Sequence, residues 1–264
     1  MSAPAVSVVM GVHNGAPWVG EAIASVLRQT AADLELIVVD DGSTDATAGI
    51  LAAVGDRRVR GERRPHQGLT EALIHGLGLA RAPLVARLDA DDLAEPERLA
   101  RQRAFLDSHP DVGLLGAGAH EVGPSGRDVA LIRPPEDDAA IRRALIRQNP
   151  FVHSSVVMRR EVAERAGGYD ASFAVAQDYD LWMRMSRWTR MANLGEPLVI
   201  RRLLPGRVTA ERDGARLRAE ARIRWRAVRD GAYPPWCVIF ALRPTLALAM
   251  PLPIRRALRR SAGR

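Results

Sequence analysis

The feature that most restricts the fold of this chain is a rhythm in its first hundred residues: short β-branched runs, each closing on a polar cluster, alternate with stretches of helical period. The runs VSVVMGV (6–12), LELIVVD (34–40) and PLVARLD (83–89) read as strands, because β-branched side chains suit a buried pleated surface and turn residues bound each run. Between them, residues 18–29 place Ile23, Val26 and Leu27 on one helical face, and residues 44–54 follow the capping cluster Ser43, Thr44 and Asp45. This βαβαβ order predicts an α/β fold with a mostly parallel central sheet covered on both faces. In such sheets ligands bind beyond the carboxyl ends of the strands. That rule brings three clusters to one edge: His13-Asn14-Gly15, Asp40-Asp41-Gly42-Ser43 and Asp89-Ala90-Asp91-Asp92.

Past about residue 110 the alternation loosens. Segments near 112–116, 129–133 and 151–158 read as extended, 136–148 and 178–188 as helical, and 191–200 as another strand. An Arg-rich helix is expected over 209–229, followed by the apolar run WCVIFALRPTLALAMPL at 236–252. Arg243 and Pro244 interrupt that run, which falls short of the roughly 20 apolar residues a membrane span needs.

Length and composition narrow the function. A chain of 264 residues with 47% hydrophobic content can bury one large core plus a short extension. All 38 basic residues are arginines, which excludes Schiff-base lysine chemistry and the P-loop lysine. With Cys237 the only cysteine there is no intrachain disulfide, and no apolar segment precedes VSVVM; a cytoplasmic protein without a signal peptide is expected. The charge is uneven: residues 1–200 carry 22 Arg against 27 acids, residues 201–264 carry 16 Arg against 4 acids. Such an extension suits either a solvated helix face closing the core or peripheral contact with an anionic membrane.

Four stretches carry candidate chemistry. Asp89, Asp91 and Asp92 crowd three carboxylates after an apolar strand, where hard oxygen ligands suit Mg²⁺ or Mn²⁺ and a diphosphate completes the shell; the plainer account is an acidic turn capping a helix that begins near Pro96. Asp40 and Asp41 either cap a turn or accept hydrogen bonds from a ribose or base N–H. A dinucleotide reading needs G-x-G-x-x-G after the first strand, which VHNGAPWVGEA lacks. In Gln177-Asp178-Tyr179-Asp180 either acid could cap the following helix, or serve as a general base. Asn149 to Ser155 (NPFVHSS) sets polar groups beside an apolar run without a G-x-S-x-G elbow. The other histidines, at 13, 66, 75, 109 and 120, lack zinc spacing and are expected in surface or structural duty.

Taken in order, VSVVMGVHN, ELIVVDDGSTD, ARLDADD, NPFVHSS and QDYDLWMR resemble the motif series of the family 2 glycosyltransferases over roughly residues 5–208. The resemblance implies a GT-A fold and inverting transfer of a sugar from a nucleoside-diphosphate donor, of UDP or dTDP type, to an acceptor hydroxyl, with Mn²⁺ or Mg²⁺ as cofactor. It divides the chain into a catalytic domain over 1–208, with a nucleotide-sugar half (1–110) and an acceptor half (111–208), and an extension over 209–264. Carried over by position, Asp41 binds the base or ribose, with Asn14 and Asp40 lining the same pocket. Asp89 and Asp91 form the D-x-D motif, Asp92 is the neighbouring acid, Arg87 faces the donor, and Asp178 is the catalytic base. The implied partners are the nucleotide sugar and a carbohydrate or lipid-linked acceptor in polysaccharide or glycoconjugate biosynthesis, with peripheral membrane contact through the extension. Gln177 stands for the usual Glu, Ile74 for an Asn and Leu204 for a His. Those departures leave open a non-catalytic sugar-nucleotide-binding protein. A nucleotidyltransferase would need a basic phosphate loop, and residues 6–20 hold no Arg or Lys. The Arg-rich tail lacks the aromatic interleaving of a nucleic-acid surface, so no nucleic-acid partner is expected.

Overall fold

The computed structural model describes residues 4–204 and 213–249. The expected alternation opens the chain: β1 (Val6–Val12), α1 (Val19–Leu27), β2 (Leu34–Asp41), α2 (Thr47–Ala52), β3 (Val59–Arg64), α3 (Leu69–Leu79) and β4 (Leu84–Arg87). There follow β5 (Leu93–Ala94), α4 (Arg98–Ser108), β6 (Val112–Val122), β7 (Asp128–Ile132), α5 (Asp138–Leu145), β8 (Val157–Arg159), α6 (Arg160–Arg165), α7 (Gln177–Met185) and β9 (Arg190–Arg202). Two further helices, α8 (Asp213–Arg229) and α9 (Val238–Ala249), form the extension. The first four residues expected in the Arg-rich helix, 209–212, and residues 250–252 of the apolar run lie outside the described residues.

The strands form one sheet in the order β3-β2-β1-β4-β8-β6-β9-β5, with β7 on β6. Its long ladders, β3–β2–β1–β4 and β6–β9, are parallel, and the short ones made by β5, β7 and β8 are antiparallel. Every residue of β1 and β2 is buried, as a sheet covered on both faces requires. Side chains alternate between two cores: Val9, Ile37 and Val39 join Leu73, Leu114 and Trp182 on one side, while Val8, Met10, Leu36 and Val38 join Ile23, Leu99 and Leu106 on the other.

Two local expectations shift. Helix α2 starts at Thr47, because Asp45 accepts the Thr47 amide on Oδ1 (3.0 Å) and the Ala16 amide on Oδ2 (3.0 Å), tying the loop after β1 to the loop after β2. Residues 153–155 form a 3₁₀ turn, so only 157–159 of the segment read as extended pair in the sheet.

Helix α9 packs on α8 despite an internal proline. Pro244 has no N–H for the Phe240 carbonyl one turn back. The buried Arg224 of α8 supplies the missing donor, its Nη1 lying 3.1 Å from that oxygen, and it also donates to Tyr179 Oη at 3.2 Å and to Glu220 at 3.0 Å. Since Tyr179 belongs to α7, one arginine docks both extension helices on the main domain.

Candidate active site

At the β1–β2 edge the structure assigns unequal duties to Asn14, Asp40 and Asp41. Asn14 takes φ 52°, a conformation asparagine tolerates better than most residues. Its Oδ1 accepts the Thr44 amide (2.8 Å) and its own amide donates to Ser43 Oγ (2.9 Å), so it clips two loops together. Asp40 is buried, with Oδ1 accepting the Ser43 amide at 2.9 Å and Oδ2 lying 3.6 Å from Arg63 Nε. Asp41 accepts the amides of Gln67 (2.7 Å) and Gly68 (2.8 Å) and contacts His66 Nδ1 at 2.9 Å. Gly68 sits at φ 97°, where a side chain would be strained. His13 and His66 stack with ring centroids 4.0 Å apart and both turn Nδ1 to the Asp41 carbonyl, at 2.8 and 3.0 Å. These rings have a structural duty beyond ordinary surface exposure. One ring nitrogen of each histidine and an Asp41 carboxylate oxygen lie within 4.8 Å of one another, but both Nδ1 atoms already face the Asp41 carbonyl.

The acidic turn follows β4. Arg87, the last residue of that strand, is buried and forms a short ion pair with Asp89. Asp89, Asp91 and Asp92 bring carboxylate oxygens within 4.8 Å of one another. Asp92 is fully buried, and its Oδ1 accepts the Arg202 amide at 3.1 Å. Burial, followed by repulsion from Asp89 and Asp91, pushes its pKa up to about 7. Ser154 Oγ lies 2.8 Å from Asp89 Oδ2 and 2.5 Å from Asp92 Oδ2. One hydroxyl carries one proton, so a proton on Asp92 is what lets both short contacts be hydrogen bonds. Beneath the turn, the buried Arg98 donates to the Arg87 carbonyl at 2.8 Å; burial and then Arg87 pull its pKa down to about 9. Three crowded carboxylates, one held toward its neutral form by burial and then by the other two, are a donor set that fits a divalent cation.

Asp178 opens α7, yet neither it nor Asp180 caps the helix: the residue before it, Ala176, is left-handed at φ 59° and no side chain closes the first turn. Asp180 is buried and pairs with Arg184 at 2.6 Å. Asp178 Oδ2 instead accepts Asn149 Nδ2 at 2.7 Å. Between Asp178 and the acidic turn stand His153 and Tyr169, with His153 Nε2 3.2 Å from Tyr169 Oη. Burial, then Arg87, depresses the His153 pKa to about 4, while Asp178 and Asp89 pull it back upward. Burial raises the Tyr169 phenol, which Arg87 lowers and the same two acids raise. This pair of rings, reached by the charges of Arg87, Asp89 and Asp178 together, links the acidic turn to the start of α7.

The structure therefore brings Arg87, Asp89 and Asp178 near His153 and Tyr169, groups Asp91 and Asp92 with Asp89, and uses Asn14, Asp40 and Asp41 to build the loops after β1 and β2. Sequence reasoning flagged NPFVHSS without assigning Asn149 to Asp178 or Ser154 to the acidic turn. Tyr169, Arg98 and Arg202 carried no signal. Of the three departures, Gln177 is buried at the start of α7, Ile74 packs against the core, and Leu204 follows β9 half-buried.

The sheet order and these acids at its edge define a GT-A domain. Residues 7–167 match the family described as glycosyl transferase family 2, and the chain belongs to that family. It is 33% identical over 186 residues to the amylovoran biosynthesis glycosyltransferase AmsE of Erwinia amylovora, a match covering 68% of each chain. Among solved structures, S. aureus TarS 1-349 in complex with UDP-GlcNAc is similar with a TM-score of 0.67 at 20% identity, covering 83% of this chain and 66% of that one. The mannosyltransferase PcManGT from Pyrobaculum calidifontis, in complex with GDP-Man and Mn²⁺, is similar with a TM-score of 0.66 at 22% identity over 100% of this chain and 81% of that one. The chain thus spans about two thirds of the length of AmsE and of the TarS chain.

Proposed function

We propose that this protein is an inverting glycosyltransferase that moves a sugar from a nucleoside-diphosphate sugar of UDP or dTDP type to an acceptor hydroxyl, in polysaccharide or glycoconjugate biosynthesis. The observation that carries this reading is Asp178: an acid in a helical first turn that caps nothing, is held by Asn149, and shares the His153–Tyr169 pair with the acidic turn. Asp178 takes the acceptor proton as the oxygen attacks the anomeric carbon from the side opposite the diphosphate. No protein nucleophile is needed for inversion. Asp89 and Asp91 would hold Mn²⁺ or Mg²⁺, with Asp92 behind them as the buried partner of Ser154, and a cation bound there would supply positive charge against the departing diphosphate. Arg87 fixes Asp89 toward the donor, and Asp41, with Asn14 and Asp40 bracing its loop, shapes the wall that receives base and ribose. The names of the similar proteins support this: amylovoran biosynthesis for AmsE, a UDP-sugar in TarS, and Mn²⁺ with a nucleotide sugar in PcManGT.

The setting is cytoplasmic, which suits the lone buried Cys237. Contact with the inner membrane face through the extension would place a lipid-linked acceptor within reach. Among the described residues no helix is long and apolar enough to cross a membrane.

The direct test is Asp178→Asn. Transfer should fall by roughly 10²–10⁴-fold while the donor dissociation constant stays unchanged. Wild-type transfer with normal donor binding would remove Asp178 from the mechanism, and absence of transfer by the wild type with donor still bound would favour the non-catalytic binder.

A further inference from the structure

Helix α9 is sided in an unusual way. Cys237, Ala241 and Pro244 are buried toward α8 and the core, so the apolar run does close the domain. Its opposite side is apolar as well: Trp236 is 65% exposed, Ile239 61%, Leu242 41% and Leu246 62%. Spacings of three and four residues put these four on one stripe, with Arg243 beside it. The Arg224–Phe240 bond that replaces the one lost at Pro244 holds the helix in place, so the stripe is presented by a fixed element. Large exposed apolar patches mark contact surfaces.

Charge decides what the stripe contacts. From Gly231 to Arg264 the sequence contains six arginines and no acid. The arginines of α8, by contrast, are largely used internally: Arg216 and Arg224 pair with Glu220, Arg226 with Asp170 and Asp180, and Arg229 with Asp230. A second copy on this face would bring two acid-free helices together, each carrying an exposed Arg243. An anionic lipid surface satisfies both features, because apolar side chains and Trp enter the headgroup boundary while guanidinium groups meet phosphates.

We propose that Trp236, in the 3₁₀ turn leading into α9, and Ile239, Leu242 and Leu246 on α9, with Arg243, form a lipid-docking surface on which the protein lies flat against an anionic bilayer. This deepens the peripheral contact in the proposed function and is independent of the chemistry: a chain that fails to bind vesicles can still transfer sugar, and an inactive one can still bind.

The experiment is flotation of the full chain with phosphatidylcholine vesicles, with and without phosphatidylglycerol. Wild-type protein should float with the anionic vesicles alone and be released by high salt. The variant Trp236→Ser/Ile239→Ser/Leu246→Ser, changed at exposed positions, should partition about tenfold less or lower. Val129→Ser/Leu131→Ser, which removes exposed apolar side chains from β7, should float as the wild type does. Tryptophan fluorescence should be quenched by lipids brominated near the headgroup in the wild type, and most of that quenching should be lost in Trp236→Phe; quenching unchanged in Trp236→Phe would overturn the proposal. Failure of the wild type to float, flotation of the triple variant equal to wild type, or a wild-type dimer in light scattering that the triple variant loses would each overturn the proposal, the last by making a second copy the occupant.

Discussion

An aspartate in the first turn of a helix ordinarily accepts a free backbone amide. Asp178 accepts a side-chain amide from 29 residues earlier, and that difference, invisible in sequence, separates a cap from a candidate base. If Asn149 positions the carboxylate, Asn149→Ala should lower kcat by about tenfold to a hundredfold, with nucleoside-diphosphate affinity unchanged in a titration; an equal loss of donor affinity would place Asn149 elsewhere in the site. His153 makes a pH prediction. Its folded pKa of about 4 lies below the unfolded value of 6.5, so between these values the unfolded chain binds the extra proton, and stability falls as pH drops through the window, levelling off below it. Asp92, raised to about 7, acts the other way, losing its contribution as pH rises from the unfolded carboxylate range toward 7. His153→Gln should therefore be more stable relative to wild type near pH 4.5 than near pH 7.5 (both about), read by urea unfolding; parallel pH profiles would refute the assignment.

Elements were legible where one physical cause dominated. Strands β1, β2 and β4 announced themselves because parallel strands buried on both faces must be almost wholly apolar. Strand β3 (VRGERR) did not, since an edge strand with half-exposed faces tolerates charge. Helix α4 was legible only as a helix beginning near Pro96, because its inward face carries the buried Arg98 and Gln102, which donate to the Arg87 and Ser155 carbonyls and break its apolar period. Helix α3 was hidden by its two internal glycines, one of which, Gly76, allows close approach to Val9. In the extension, Pro244 and Arg243 argued against a membrane span, and the structure adds that Arg224 supplies the donor Pro244 lacks in α9. Removing that donor strands the Phe240 carbonyl and leaves Glu220 to Arg216 alone, so Arg224→Met should destabilise the protein by about 1–3 kcal/mol in chemical unfolding, with α7 contacts weakened as well. A change under about 0.5 kcal/mol, the size of an ordinary surface substitution, would mean water replaces the bond without loss.

At the scale of the molecule, the parallel strands place Asp40, Asp41 and the Asp89–Asp92 turn at one carboxyl edge, and this was the part the sequence carried best, because strand direction alone decides it. What pattern reading could not supply were contacts across long separations: Ser154 to Asp92, Arg202 to Asp92, and the His153–Tyr169 pair. The whole account rests on that edge receiving a metal-bound nucleoside diphosphate. Its most direct measurement is thermal unfolding with UDP, dTDP and GDP, each with and without Mn²⁺. The account predicts stabilisation by one of them that requires Mn²⁺, approaching roughly 2.7 kcal/mol at a hundred times the dissociation constant, and disappears in Asp91→Ala. Stabilisation by none of the three, or equal stabilisation in Asp91→Ala, would contradict it.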